Sequence, residues 1–284
     1  MRLDTYDTTT QVLARVAQST RITPPQADEV REIVLDVAQP DFTPVAGQTV
    51  GILAPGDPAF GQSEHFRLYT VADRPVTTDG TTRIVLAVRR CNYVDAYSGE
   101  RYEGRASNYL CDLRPGDELT LTGPYGQPFE VPANPNATLI LIGMGTGIAP
   151  FRALVRHIYE DRPDFRGRIL LLHGGLTGVD LLYRNDARDD FQLYYDRPTF
   201  EAIDALAAHP VWEPDIDWQT PLQKRTEEIA HLLESPNTYV YLAGLEAIRD
   251  QLDSVFAEVV GDPGVWERRK AELVAGKRWL ELLY

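Results

Sequence analysis

Hydrophobic positions change their rhythm about halfway along this chain. In the first half, apolar residues fall in short alternating or β-branched segments, at 11–23, 29–38, 48–53, 66–72, 82–90 and 118–122. Clusters such as Pro24-Pro25, Pro55-Gly56-Asp57 and Arg114-Pro115-Gly116-Asp117 separate them, and such clusters mark turns because Pro fixes φ while Gly tolerates positive φ. Several short strands at that spacing predict a small antiparallel β-barrel. One helix is expected within it, at 107–113, with Ser107 as its N-cap. Beyond the proline-broken stretch Val131-Pro132-Ala133-Asn134-Pro135-Asn136, strand-like and helix-like segments alternate. Strands are expected at 139–142, 168–173, 191–195 and 239–243, and helices at 150–160, 199–208, 221–234, 246–260 and 266–275. That order predicts an α/β parallel sheet covered on both faces. The expected fold class is therefore two-domain, with an N-terminal antiparallel β-barrel over 1–132 and a C-terminal α/β parallel sheet over 133–284.

A chain of 284 residues, 43% hydrophobic and 25% charged, has the length and core content for two globular domains. No apolar run reaches the roughly 18 residues of a membrane span. The first ten residues are polar and acidic, unlike a secretory signal or a basic transit peptide. The two cysteines, Cys91 and Cys111, are too few for a four-cysteine cluster or zinc ribbon; as free thiols they point to the cytoplasm. No His, Asp and Glu positions have metal-ligand spacing, so no metal is expected, and buried His173 reads as a packed residue rather than a base. A net charge of -14 argues against nucleic acid or an anionic membrane as partner.

The most informative run is Leu139-Ile140-Leu141-Ile142-Gly143-Met144-Gly145-Thr146-Gly147-Ile148-Ala149-Pro150-Phe151-Arg152. A buried strand passes through alternate glycines into a helix whose first turn accepts Pro. Backbone amides and the helix dipole there suit a phosphate. The spacing G-x-G-x-G in mid-chain is not the usual Rossmann fingerprint. Two further signals lie in the β half. Arg67-Leu68-Tyr69-Thr70 offers a guanidinium for pyrophosphate, a ring and a hydroxyl, and Gly104-Arg105-Ala106-Ser107-Asn108-Tyr109-Leu110 offers another helix start. Phosphate-type sites in both halves suit two dinucleotides better than one ligand.

Those motifs, followed by Gly123-Pro124-Tyr125-Gly126, Leu181-Leu182-Tyr183, the segment 237–245 and a terminal Tyr284, occur in one order. In that order the chain closely resembles the plant-type ferredoxin–NADP reductase family, over residues 30 to 284. The resemblance implies an FAD-binding barrel and an NAD(P)-binding α/β domain. It implies hydride transfer between NADH or NADPH and FAD, and single-electron exchange with ferredoxin, flavodoxin or another one-electron carrier. By resemblance, Arg67, Leu68, Tyr69 and Thr70 hold the FAD pyrophosphate and flavin; Ala87, Val88 and Arg89 line the cofactor edge; and Tyr93 stacks on its adenine. Arg105, Ala106 and Ser107 cradle phosphate and flavin. Gly145, Thr146, Gly147, Gly244 and Leu245 bind the nicotinamide nucleotide. Ser107 and Tyr284 stand at the hydride-transfer centre, Tyr284 covering the flavin face that nicotinamide approaches.

The departures narrow this picture. Ala106 and Ala243 stand where the family has cysteines, and Leu282 where it has a glutamate, with Glu281 one residue early. The Ser-Arg pair that reads the NADPH 2′-phosphate aligns with Asp196-Arg197, its downstream partners with Asp215 and Asp217, and a lysine with Gln127. Carboxylates repel a 2′-phosphate and accept from a free 2′-hydroxyl, which favours NADH. Two alternatives remain open: a reductase component dedicated to a partner oxygenase, and a non-catalytic flavin- or nucleotide-binding descendant.

Overall fold

Strand β1 (Gln11–Arg21) alternates strictly at its start, burying Val12, Ala14 and Val16 and exposing the residues between them. The same inward rows come from β2 (Val30–Val37), β3 (Thr49–Pro55) and β6 (Thr81–Arg89). The computed structural model describes residues 3–94, 99–126, 129–210 and 213–284, in two units, Met1–Phe129 and Glu130–Tyr284. In the first unit, β4 (Glu64–Thr70), β5 (Val76–Thr78) and β9 (Glu118–Tyr125) complete a seven-stranded antiparallel sheet ordered β4-β3-β9-β1-β2-β6-β5. A bridge between Val71 and Leu86 joins the chain past β4 to β6, closing the sheet into the expected barrel. Between β6 and β9 come a two-stranded hairpin, β7 (Asn92–Val94) with β8 (Arg101–Glu103), and helix α1 (Arg105–Asp112). Leu110 and Cys111 of α1 join the barrel core. Burial pushes the Cys111 thiol up to about 12, so it stays protonated.

The second unit starts from β10 (Thr138–Met144) and α2 (Ala149–Asp161), followed by β11 (Ile169–Gly175) and the small hairpin β12 (Arg184–Asn185) with β13 (Arg188–Asp189). Then come β14 (Phe200–His209), β15 (Glu213–Ile216), α3 (Gln219–Gln223), α4 (Thr226–Glu234), β16 (Thr238–Gly244), α5 (Ala247–Val260), α6 (Pro263–Ala275) and β17 (Trp279–Leu283). The sheet order is β15-β14-β11-β10-β16-β17, parallel throughout except for the β14–β15 pair. Ile140, Leu170, Val240 and Leu242 pack with Leu222, Ile229, Leu252 and Phe256 of the covering helices. The chain moves outward from β10 through β11 to β14, then returns to the other side of β10 as β16. The order therefore reverses between β10 and β16, and a doubly wound sheet binds its ligand at the carboxyl end of such a reversal.

Three expected elements differ. Residues 191–195 form a 3₁₀ turn over Phe191–Tyr194 instead of a strand, with Phe191 stacked on Phe200 at 6.0 Å and Tyr194 on Tyr159 at 5.0 Å. Residues 199–208, alanine-rich and of good helix propensity, form strand β14 because pairing with β11, from Ile169–Phe200 to Gly175–Leu206, overrides local preference. The helix expected at 221–234 is broken into α3 and α4. The terminal aromatic segment, not anticipated as a strand, pairs with β16 as β17.

His173 on β11 is fully buried, and neither ring nitrogen has a hydrogen-bond partner among the described residues. Burial, with Arg184 nearby, holds its imidazole well below 6.5. The unfolded chain therefore takes up this proton first as pH falls, and stability declines below about pH 6.5 by up to ~1.4 kcal/mol per pH unit. His65 shifts the same way through partial burial and the charges of Arg67 and Arg105. Asp36 and Glu201, held low by hydrogen bonds from Arg83 and Arg225, lose their contribution only at more acid pH. A His173→Phe chain is expected to lose the larger part of the slope between about pH 6.5 and 5, read as urea midpoints at fixed ionic strength. A slope equal to that of the parent chain would contradict the assignment.

Candidate functional site

At the carboxyl end of β10 the backbone turns at Gly145, whose φ of 53° lies in the left-handed region. The segment Gly145–Ile148 is one 3₁₀ turn feeding directly into α2, with Pro150 in the helix's first turn. Gly147 lies against the end of β16, where a Cβ would stand 2.5 Å from the Ala243 carbonyl and 2.7 Å from the Gly244 nitrogen. Only glycine permits that approach. Tyr284 completes the cluster: its amide donates to the Gly244 carbonyl at 3.0 Å, and its hydroxyl lies 2.7 Å from Thr146 Oγ1. Gly145, Thr146, Gly147, Gly244, Leu245 and Tyr284 thus converge at the sheet's reversal point, with helix amides and a cradle open to a phosphate. The motif's Arg152 turns away, stacking 4.5 Å over the Tyr183 ring and pairing with Asp190.

The register explains two departures at once. Ala243 lies beside Leu282 across the β16–β17 ladder, so both replacements fall in one apolar place. Glu281 projects to the other face of the sheet. There it accepts from Arg249 at 2.8 Å and from the Trp279 indole at 2.7 Å.

Asp196 and Arg197 do not join this site. Phe200 sits five ladder positions behind Ala205, which is level with Gly174 and Met144, a distance of about 17 Å at the usual rise. Asp196 and Arg197 precede Phe200, at the amino end of the strands, with the Arg197 guanidinium 5.6 Å over the ring of Tyr159 in the last turns of α2. Their alignment with the phosphate-reading pair rested on the expected strand at 191–195. Because the strand is instead Phe200–His209, the residues following its carboxyl end are Pro210 onward. Asp215 and Asp217 do lie at that end, while Gln127 falls outside the described residues.

In the first unit, Arg67, Leu68, Tyr69 and Thr70 form the end of β4, paired with β3. Arg67 is exposed; Tyr69 packs against the barrel core, and burial raises its phenol above the ordinary value. Helix α1 starts at Arg105 with Gly104 as N-cap, so Ser107 is not the cap the sequence suggested. Its hydroxyl accepts from the Cys91 amide at 3.1 Å and donates to the Gly104 carbonyl at 3.1 Å. Arg105 donates to the Gly56 carbonyl at 3.1 Å and pairs with Asp57. Ala106 is buried. On β6, Val88 points into the barrel core and stands opposite Arg31 in the β2–β6 ladder, and Arg89 pairs with Asp28. Tyr93 is 59% exposed and stacks on Tyr102 at 5.2 Å.

The sequence reading missed the hub that holds α1 in place. Arg90 donates to Glu29 at 2.7 Å, Asn108 Oδ1 at 2.9 Å and Asp112 at 2.8 Å, while the Asn108 amide donates to the Cys91 and Gly104 carbonyls, each at 2.9 Å. Among the described residues, no His, Cys, Asp and Glu cluster could hold a metal ion, and no helix is long and apolar enough to cross a membrane.

A family profile described as an oxidoreductase NAD-binding domain matches residues 141–253. The chain is 33% identical over 245 residues to the chloroplastic ferredoxin–NADP reductase of Mesembryanthemum crystallinum, covering 82% of this chain and 65% of that protein. It is 28% identical over 267 residues to the ferredoxin–NADP reductase of Picosynechococcus sp., covering 88% and 64%. It thus spans slightly less than two-thirds of the length of these relatives. Among solved structures, ferredoxin–NADP+ reductase from Plasmodium falciparum superposes with a TM-score of 0.74 at 18% identity, covering 98% of both chains. The same enzyme with 2′P-AMP gives 0.69 at 18% identity, again over 98% of both chains. The structural likeness speaks for the fold, and the sequence relatives, with the ordered motifs, speak for descent: the chain belongs to the plant-type ferredoxin–NADP reductase family.

Proposed function

We propose that this chain is an FAD-dependent oxidoreductase that passes hydride between NAD(P)H and FAD, and single electrons between FAD and ferredoxin or flavodoxin. The convergence of the glycine turn, Gly244–Leu245 and Tyr284 at the reversal point of a doubly wound sheet carries this reading. Gly147 and the first turn of α2 receive the nucleotide pyrophosphate. Tyr284 holds the nicotinamide end through its bond to Thr146, and its ring gives way to the nicotinamide because stacking contributes only about 1 kcal/mol beyond area burial.

The barrel's donor set fits FAD. Arg67, Arg105 and the α1 amides make a cationic, donor-rich edge for its pyrophosphate, and the exposed Tyr93 ring offers a face to its adenine. Bound FAD supplies the conversion between two-electron and one-electron transfer. Ser107, tied to Gly104 and Cys91, fixes the start of α1 beside that cofactor. Ala243 and Leu282 replace polar partners with apolar ones, which alters rates but leaves hydride transfer to proximity and alignment. A cytoplasmic location belongs to the same proposal, supported by the two free cysteines.

The chain reconstituted with FAD is expected to be reduced by NAD(P)H and to reduce cytochrome c faster when ferredoxin or flavodoxin is added. Equal cytochrome reduction with and without a carrier would favour a reductase dedicated to one partner enzyme. A chain that takes up no flavin would favour a non-catalytic descendant.

A further inference from the structure

We infer that the nucleotide substrate is NADH, selected over NADPH by an acidic cleft beyond β14 in which Asp215 is the specificity-determining residue. The inference rests on the reading of the second unit as the nicotinamide-nucleotide domain. In a doubly wound sheet the ligand lies across the carboxyl ends of the strands, outward from the reversal point. From the glycine turn at the end of β10, the next strands outward are β11 and β14. At the usual spacing of neighbouring strands the end of β14 stands about 10 Å away, where the adenosine half of a dinucleotide arrives.

A cleft of about 410 Å³ opens there, lined in part by Ala208, Asp215, Asp217, Trp218, Gln251 and Ser254. No Lys, Arg or His lines it among the described residues. The Asp217 carboxylate is occupied, accepting from the Thr220 amide at 2.9 Å at the start of α3. Asp215 is exposed, and its only hydrogen bond among the described residues is a long one, 3.4 Å, from the Gln251 amide. Trp218 adds an independent observation: it lines the same cleft, is buried, and its indole N–H has no acceptor among the described residues.

This donor and acceptor set recognises hydroxyls. A carboxylate accepts from a free ribose 2′-hydroxyl, whereas a 2′-phosphate brings about −1.5 to −2 further charge at neutral pH. Here it would meet two carboxylates in a cleft that no basic side chain lines among the described residues, with Lys224 near enough only to act on Asp217, whereas a 2′-phosphate is best held by an arginine fork or a lysine. The relatives' names say NADP, and a solved neighbour was described with 2′P-AMP, so the inference sets this chain apart from those proteins in its nucleotide.

The test is calorimetric titration of the FAD-loaded chain with ADP-ribose and with its 2′-phosphorylated form, which reads binding rather than turnover. The parent chain is expected to bind ADP-ribose at least tenfold more tightly. Asp215→Arg is expected to narrow or reverse that ratio by tenfold or more, mainly through tighter binding of the phosphorylated ligand. Asp215→Asn, which keeps the shape and loses the charge, is expected to narrow it less. Equal or tighter binding of the phosphorylated ligand by the parent chain would overturn the inference, as would an Asp215→Arg chain with an unchanged ratio. If the parent chain binds neither ligand, the nucleotide-domain reading itself falls and takes this inference with it.

Discussion

A Gly147→Val chain is expected to keep its flavin and lose its nucleotide. The first atom added at this position would stand 2.5 Å from the Ala243 carbonyl, where an ordinary contact needs more than 3.4 Å. The obstacle is backbone at the end of a central strand, with no flexible side chain to give way. The turn must therefore lift by about 1 Å or β16 must bend, and overpacking of this kind costs about 1–3 kcal/mol. The larger loss is functional. Lifting the turn re-aims the amides at the start of α2 and breaks the placement of Thr146 against Tyr284, so nucleotide affinity is expected to fall at least 100-fold. Gly178→Ala is the control, because a Cβ there meets nothing within 4 Å. Calorimetry would read affinity, and flavin absorbance would read retention of the cofactor. A Gly147→Val chain that binds nucleotide like its parent would remove the glycine turn from the site.

The converse loss is expected from Arg90→Met, which keeps a long stem and removes the guanidinium. Three side chains depend on that group: Glu29 just before β2, Asn108 within α1 and Asp112 at its end. Glu29 retains Arg31 at 3.0 Å, so its carboxylate is not stranded. Asn108 Oδ1 loses this donor in a buried setting, where an unpaired acceptor costs about 1–3 kcal/mol. With the loosened ends of α1 and β2, the first unit is expected to lose about 2–4 kcal/mol. The start of α1 then no longer holds Arg105 and Ser107 in place. FAD occupancy after gel filtration is expected to drop several-fold, while ADP-ribose binding stays near the parent value. Full flavin occupancy in the variant would show that α1 needs no such anchor.

How far sequence alone reached follows from local versus distant causes. The barrel strands were legible because alternation in each strand reports its own inward face, as in Val12, Ala14 and Val16. Strands β10, β11 and β16 were legible as continuous apolar runs buried on both faces. Strand β14 was not, because Glu-Ala-Ile-Asp-Ala-Leu-Ala-Ala favours a helix until β11 is beside it. That misreading, with the strand expected at 191–195, left Asp196 and Arg197 at the wrong end of the sheet and hid Ala208 from the nucleotide cleft. The apolar terminal segment carried no alternation to mark it as a strand, and it pairs with the edge of β16. The Arg90 hub had no local signature, since its partners lie 18, 22 and 61 residues away in sequence.

The most direct measurement of the central claim is anaerobic stopped-flow mixing of the FAD-loaded chain with NADH and, in parallel, with NADPH. The account predicts a yellow protein whose flavin absorbance is bleached rapidly by NADH and at least tenfold more slowly, at equal subsaturating concentration, by NADPH. A flavin that neither nucleotide bleaches would contradict it.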